Sequence, residues 1–276
     1  MNVVIRADEQ AVTHSAYEFV RDRMTRKGYR VLGLPTGGTP LRLYEALVAG
    51  YRRGEVDFAD VHTFNLDEYL GLGPEHPQSY RQFMQENLFS QVNVRAENIH
   101  FLSGLPADIE AECEQYEQTI VRIGGINLQI LGIGRDGHIG FNEPTSSLAS
   151  RTRDKTLTRE TVEDNRRYFD REEDVPRWAL TMGVGTIMEA REILLLATGR
   201  AKADAVAAMI EGPVTAMCTA SALQMHARVT VIVDEGAAAK LDHDEYYRWM
   251  AEHDAQMADY LADRRRRFGL DTARST

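Results

Sequence analysis

The sequence predicts an α/β fold: a single doubly wound, mostly parallel, Rossmann-like sheet with helices on both faces. Two observations support this prediction. Short apolar runs alternate along the chain with longer segments of helical periodicity, as in repeated strand–helix units. Several of the runs are apolar at every position, which is typical of parallel strands that are covered on both faces. The whole chain, residues 1–276, is predicted to form one domain.

The elements of the N-terminal half follow from local signals. Gly28 closes the first helix, and Thr39 is expected to cap the second, with Pro40 at its first position. The predicted strands here are 3–6, 30–34, 61–65 and a short strand at 99–102. The predicted helices here are 8–26, 41–49, 78–89 and 108–122.

The C-terminal half continues the alternation after one interruption. The further predicted strands are 126–133, 192–197 and 228–233, with a helix at 201–210. Residues 146–177 carry many charges and little periodicity, which predicts a surface excursion that serves as a lid or regulatory segment. Residues 236–276 are predicted to be a charged C-terminal helical tail, helical to residue 267.

Composition excludes several classes of protein. With 43% hydrophobic and 27% charged residues, the chain resembles an ordinary soluble globule. No apolar run approaches the roughly 20 residues of a membrane span, and no signal segment precedes the first strand. Two cysteines are too few for a disulfide framework, so we expect a reducing, cytoplasmic location. The net charge of −10 argues against nucleic-acid binding, and the Arg264–Arg267 run is predicted to be a solvated helix end.

The segment 131–144 concentrates the chemistry. Gly132, Gly134 and Gly137 allow sharp turns and close approach of a ligand. Carboxylate, imidazole and carboxylate groups then follow on the same loop, at Asp136, His138 and Glu143. Flanking carboxylates hold a histidine in one tautomer and raise its pKa, which predicts a proton-transfer device. An ordinary polar connection and a metal site remain as alternatives, but the loop has neither a His pair at helical spacing nor a Cys pair.

Two further loops follow predicted strands. The run Leu34-Pro-Thr-Gly-Gly-Thr-Pro40 connects a strand to a helix, an arrangement that directs backbone N–H groups and a positive dipole end at an anion. It is not a Walker motif, because no lysine follows its glycines. Asp67 and Glu68 lie just past the third predicted strand, where ligands bind in open α/β sheets. The alternative is that Asp67 merely caps the next turn.

Five motifs in order resemble those of the glucosamine-6-phosphate deaminase (isomerising) family, and the resemblance extends to about Val233. They are Leu34 to Pro40, Phe64-Asn-Leu-Asp-Glu-Tyr69, Gly134 to Pro144, Ser146-Ser-Leu-Ala-Ser-Arg-Thr-Arg153 and Gly183-Val-Gly185. The resemblance implies conversion of glucosamine 6-phosphate to fructose 6-phosphate and ammonia, in amino-sugar catabolism, without metal or organic cofactor. It also implies a homo-oligomer, commonly a hexamer, although smaller relatives exist.

The resemblance also assigns roles. Asp67 matches the base that removes the C2 proton, and His138 matches the ring-opening acid/base, oriented by Asp136 and Glu143. The substrate phosphate is implied to bind five residues: Gly37, Gly38, Thr39, Arg167 and Lys202. An allosteric site for N-acetylglucosamine 6-phosphate is implied at five others: Ser146, Ser147, Arg153, Lys155 and Thr156.

The sequence departs from the family pattern at three positions. Arg248 stands where the allosteric enzymes use a tyrosine, with Tyr246 and Tyr247 nearby. Arg135 replaces the usual Asn or Asp, and Gly140 replaces a common Ala. Two other functions remain open: a 6-phosphogluconolactonase, which needs no base at the position of Asp67, and a sugar-phosphate sensor, which needs an attached DNA-binding helix pair.

Overall fold

The computed structural model describes residues 1–169, 171 and 174–267. In chain order, its strands are β1 (Asn2–Arg6), β2 (Val31–Leu34), β3 (His62–Asn65), β4 (Asp67–Tyr69), β5 (Ile99–His100), β6 (Leu128–Leu131), β7 (Arg153–Thr156), β8 (Trp178–Thr181), β9 (Ile193–Ala197) and β10 (Val229–Asp234). Its α-helices are α1 (Glu9–Thr25), α2 (Gly38–Arg52), α3 (Tyr80–Asn87), α4 (Ile109–Ile123), α5 (Arg159–Asn165), α6 (Val184–Met188), α7 (Ala203–Ile210), α8 (Glu235–Ala238) and α9 (Asp244–Arg267).

Seven strands form the main sheet in the order β1-β10-β9-β6-β2-β3-β5, and every neighbouring pair is parallel. Strand β9 shows why the predicted strand at 192–197 is mostly apolar. Leu194 and Leu196 face one hydrophobic cluster, and Leu195 faces the other. Because helices cover both faces, no position of such a strand reaches water. The predicted doubly wound, mostly parallel sheet is confirmed.

The start of α2 differs from the prediction. The N-cap is Gly37, with φ of 122°, and the helix begins at Gly38. Thr39 is therefore not the cap but lies inside the first turn, where its hydroxyl is 3.2 Å from the Thr198 hydroxyl. The positive φ of Gly37 turns the chain two residues earlier than a threonine cap would, since glycine adopts that conformation without steric cost.

A second, antiparallel sheet has the order β4-β8-β7. The segment 146–177, predicted as a surface excursion, contains β7 and α5. β7 alternates half-buried Arg153 and Lys155 with exposed Asp154 and Thr156, so the strand lacks an apolar face. A period-2 pattern of charged and polar residues gives no hydrophobic signal.

The C-terminal region also differs in detail from the prediction. The helical tail predicted from 236 is divided into α8 and α9, with 239–243 between them. Tyr247 of α9 packs against the hydrophobic cluster that contains Leu195, which we call the main hydrophobic cluster. Its hydroxyl donates to Glu211 at 3.1 Å. Residues 268–276 of the predicted tail lie outside the described residues. None of the described helices combines the length and apolar character needed to cross a bilayer.

Candidate active site

A cavity of about 640 Å³ opens at the carboxyl ends of the central parallel strands. In an open α/β sheet this is the edge where loops from neighbouring strands converge on a ligand. Seven predicted site residues line it: Gly37, Gly38, Thr39, Asp67, His138, Arg167 and Lys202. Aromatic side chains from several elements form much of the remaining wall: Tyr69, Tyr80, Phe83, Phe141, Tyr168 and Phe169.

The glycines after β6 give the catalytic loop its shape. A Cβ on Gly134 would lie 2.4 Å from the His138 ring, so the ring occupies space that a side chain would fill. Gly137 has φ of 87°, and a Cβ there would lie 2.4 Å from the Cys218 sulfur. The loop therefore needs glycine at both positions to bring His138 to the cavity.

His138 is held between two carboxylates. Its Nδ1 lies 2.7 Å from Asp136 Oδ1 and 3.3 Å from Glu143 Oε2. Burial alone would lower the pKa of His138, but the two carboxylates outweigh that effect and raise it to about 9. Burial acts to raise the pKa of Asp136 and of Glu143, yet His138 and nearby donors keep both below their usual range. The imidazole is therefore largely protonated at neutral pH, and Nε2 is the nitrogen left for a substrate.

Asp67 begins β4 and is buried beside the same cavity. Burial, and then the neighbouring Glu68 carboxylate, raise the pKa of Asp67 to about 7, although His138 acts in the opposite direction. Gly140 has φ of 55°, and a Cβ there would lie 3.4 Å from Asp67 Oδ2. The missing side chain at Gly140 therefore leaves room next to this carboxylate. A buried carboxyl with a pKa near neutrality is suited to removing a proton from carbon.

Asp136, His138 and Glu143 could also be considered as metal ligands. Their donor atoms lie within 4.8 Å of one another. However, the 2.7 Å between His138 Nδ1 and Asp136 Oδ1 is shorter than the roughly 3.3 Å that separates two ligands of a tetrahedral zinc ion. That distance fits a shared proton better than a shared cation.

Backbone N–H groups and cations form another part of the cavity lining. The first residues of α2 present N–H groups without partners inside the helix, behind the positive φ of Gly37. Lys202 lies in a short 3₁₀ helix after β9, and its Nζ donates to the Ile133 carbonyl at 2.7 Å. Arg167 is exposed, and its guanidinium lies 4.8 Å from the ring centre of Tyr168. This part of the lining suits an anion.

Sequence reasoning missed residues that hold the site together. Glu68 is buried and accepts N–H groups from Tyr69, Tyr80 and Arg81, each at 2.9 Å, so it ties β4 to the start of α3. Burial raises the pKa of Glu68, although these N–H groups act to lower it. Since α3 carries part of the cavity wall, Glu68 positions that wall. The only sequence feature that could have identified Glu68 is its position directly after Asp67.

Glu143 has a similar support from α5. Glu143 Oε1 accepts the Thr158 backbone N–H at 3.2 Å. Thr158 caps α5 by accepting the Thr161 N–H. The segment predicted as a lid is therefore connected directly to a carboxylate that holds His138.

The residues predicted to bind the effector differ in how deeply they are buried. Arg153 and Lys155 share the half-buried face of β7, whereas Thr156 is on its exposed face. Ser147 is exposed, but Ser146 is buried, and its hydroxyl has no hydrogen-bond partner among the described residues. Arg153 Nη1 donates to Asn142 Oδ1 at 3.0 Å, next to the catalytic loop.

Gly183 and Gly185 support the same region. A Cβ on Gly183 would lie 2.0 Å from the Ser150 carbonyl oxygen, and one on Gly185 would lie 2.9 Å from it. The backbone after Ser147 thus packs directly on the start of α6. This close approach explains the Gly-Val-Gly motif.

Comparison with known proteins defines the class. The family model described as glucosamine-6-phosphate isomerases/6-phosphogluconolactonase matches residues 7–232. Lactonase structures show the fold alone: the Thermotoga maritima 6-phosphogluconolactonase has a TM-score of 0.67 at 20% identity, covering 84% of this chain and 100% of that chain.

Nearer relatives are more specific. The chain is 55% identical over 250 residues to a protein named glucosamine-6-phosphate deaminase from Hahella chejuensis, covering 91% of this chain and 95% of the relative. A Cellvibrio japonicus protein of the same name is 49% identical, covering 95% of this chain and 99% of the relative. The structure of a monomeric glucosamine-6-phosphate deaminase has a TM-score of 0.85 at 40% identity, covering 87% of this chain and all of the other. The chain belongs to the glucosamine-6-phosphate deaminase family and is an enzyme.

Proposed function

We propose that this enzyme converts glucosamine 6-phosphate and water to fructose 6-phosphate and ammonia in amino-sugar catabolism. The observation that carries the proposal is one cavity lined by both a carboxyl with a pKa of about 7 and an imidazole with a pKa of about 9. Between those values, a basic carboxylate and an acidic imidazolium are present together. Ring opening followed by aldose–ketose isomerisation needs both groups.

Asp67 is the proposed base for the C2 proton. In the open-chain sugar the amine and carbonyl make that C–H acidic, and a buried carboxylate is a stronger base than a solvated one. Asp67 removes the C2 proton, and a proton is then delivered to C1. The resulting ketose imine takes up water and releases ammonia.

His138 is the proposed ring-opening group. As an imidazolium it donates a proton to the ring oxygen, and the resulting neutral imidazole takes up the proton that the anomeric hydroxyl loses. Asp136 and Glu143 keep the charge on His138 and fix its orientation through Nδ1. The carboxylates act through the imidazole and are positioning residues.

The sugar phosphate is proposed to bind where backbone N–H groups and cations line the cavity. Gly37, Gly38 and Thr39 offer the N-terminal end of α2, and Arg167 and Lys202 supply positive charge. A protein of net charge −10 needs such a local cationic site to bind an anion. No metal or organic cofactor is part of the proposed reaction.

Activation by N-acetylglucosamine 6-phosphate is a further part of the proposal. Arg153 and Lys155 on one face of β7, with the nearby serines, are its proposed ligands. Support for coupling comes from Arg153, which bonds Asn142, and from Thr158, which bonds Glu143. We further propose a cytoplasmic homo-oligomer, with a hexamer as the form that the family resemblance implies, without nucleic-acid or membrane partners.

The test is ammonia release from glucosamine 6-phosphate in the presence of a chelator, with and without N-acetylglucosamine 6-phosphate. The proposal predicts chelator-resistant turnover and a sigmoidal substrate curve that the acetylated sugar makes hyperbolic. Turnover indifferent to that sugar would contradict the effector site alone. Hydrolysis of 6-phosphogluconolactone without ammonia release would replace the proposed reaction with that of the lactonases.

A further inference from the structure

The last helix exposes a row of large apolar side chains, which we call the α9 stripe. Its members are 48–57% exposed: Tyr246, Trp249, Met257, Tyr260 and Leu261. The His253 ring stacks on Trp249 at a centroid distance of 3.9 Å. At 3.6 residues per turn, these positions fall within about 120° of the helix circumference. A continuous apolar stripe of this kind marks an interaction surface rather than scattered exposure.

The α9 stripe is not the side by which α9 packs on its own domain. That side carries Tyr247, which contacts the main hydrophobic cluster and donates a hydrogen bond from its hydroxyl to Glu211. Arg248 adds an ion pair with Glu235 at 2.7 Å. The start of α9 is therefore anchored, while the α9 stripe still faces solvent.

We propose that the α9 stripe is covered by the α9 stripe of a second copy of this chain, in an antiparallel helix pair whose two-fold axis passes at His253. Tyr246 and Tyr260 are both seven residues from His253, and Trp249 and Met257 are both four residues from it. The two-fold axis therefore sets each aromatic ring against an apolar side chain of the other copy. An isologous contact of this kind closes as a dimer.

Charge selects the antiparallel direction. The beginning of α9 is acidic, with Asp244 and Glu245 following Asp242, whereas its end carries Arg264 and Arg267. An antiparallel pair therefore places the acidic start of one α9 near the basic end of the other. A parallel pair would set like charges together, which disfavours that alternative.

The area is adequate for a dimer of moderate affinity. Aromatic side chains bury about 150–250 Å² each, so half-exposed members of the α9 stripe supply on the order of 500 Å² per subunit. Two such surfaces give about 1,000 Å², near the lower limit of specific interfaces. α9 also lies beyond the family match, which ends at residue 232.

The first test measures the mass of the full chain in solution by light scattering at roughly 1–100 µM. The wild type should have the mass of two chains or an even multiple. The double variant Trp249→Glu/Met257→Glu should halve that mass, because it buries acidic groups at the axis. Val121→Glu, at a position 70% exposed on α4, is the matched control and should leave the mass unchanged. A monomeric wild type, or an unchanged double variant, overturns the proposal.

A second test examines the register. His253→Cys treated with a short bis-maleimide should give a cross-linked dimer in high yield, because the two copies of residue 253 meet at the axis. Val121→Cys is the control, and the native Cys113 and Cys218 are buried. Cross-linking of the His253→Cys variant no better than the control would overturn the two-fold arrangement. Neither test depends on the reaction catalysed, so failure of this proposal is distinguishable from failure of the proposed function.

Discussion

Two parts of the cavity lining are built differently. Around His138, the ionisable groups are largely buried and compensate one another, and their pKa values are displaced to about 7 for Asp67 and about 9 for His138. At the start of α2 and the two cations, the groups are backbone N–H donors together with an exposed Arg167 and a half-buried Lys202. The first group is preorganised before a ligand arrives, whereas the second is more open to solvent. We therefore expect changes around His138 to affect turnover, and changes at the α2 start and the cations to affect binding.

The largest expected effect is that of Asp67→Asn. Because the amide cannot accept the C2 proton, kcat should fall by about 10²–10⁴-fold, while the Kd of the substrate changes little. Ammonia release and exchange of the C2 proton with solvent measure the loss, and equilibrium binding measures the Kd. Asp204→Asn, on the surface of α7, is the matched control. Near-normal turnover in Asp67→Asn would show that another group is the base.

A smaller effect is expected for Lys202→Met. Removing one charge-assisted hydrogen bond costs about 1.5–3 kcal/mol, so the Kd of the sugar phosphate should rise by about 10–100-fold. The rate at saturating substrate should fall much less. Lys240→Met removes an exposed lysine that pairs with Asp204, and it should change neither quantity. A loss confined to kcat in Lys202→Met would contradict the division between the two parts of the cavity lining.

The smallest effect is a shift in pH dependence for Asp136→Asn. Wild-type kcat/KM should rise as Asp67 ionises through pH 7 and fall as His138 loses its proton through pH 9. Asp136 raises the pKa of His138, so its removal should move the alkaline limb to lower pH by about one unit. The acid limb should stay in place, because it belongs to Asp67. An unchanged alkaline limb would show that His138 is not the acid.

Some site residues can be predicted from local sequence patterns, whereas others are predicted only by resemblance to the family. Asp136, His138 and Glu143 lie within eight residues of one another, so their convergence needs no long-range folding. Asp67 could be predicted as a site residue from the rule that ligands bind at the carboxyl ends of parallel strands. Arg167 and Lys202 were identified by resemblance, because a lone exposed cation carries no local pattern.

The support around the site could not be predicted in the same way. The sheet formed by β4, β8 and β7 was missed because its strands are short and β7 has no apolar face. Glu68 could be noticed beside Asp67, but its three N–H partners include two from α3, which follows a long loop. Hydrogen bonds between distant residues leave no periodic signal.

The sequence by itself determined the parallel sheet, the glycine-rich loops and the local His138 cluster, because apolar periodicity, backbone freedom and close spacing act over a few residues. Tertiary structure decided the burial of Asp67, the attachment of Glu143 to α5 and the outward direction of the α9 stripe. Burial and desolvation depend on which distant segments cover a group, and those contacts also displace the pKa values of Asp67 and His138.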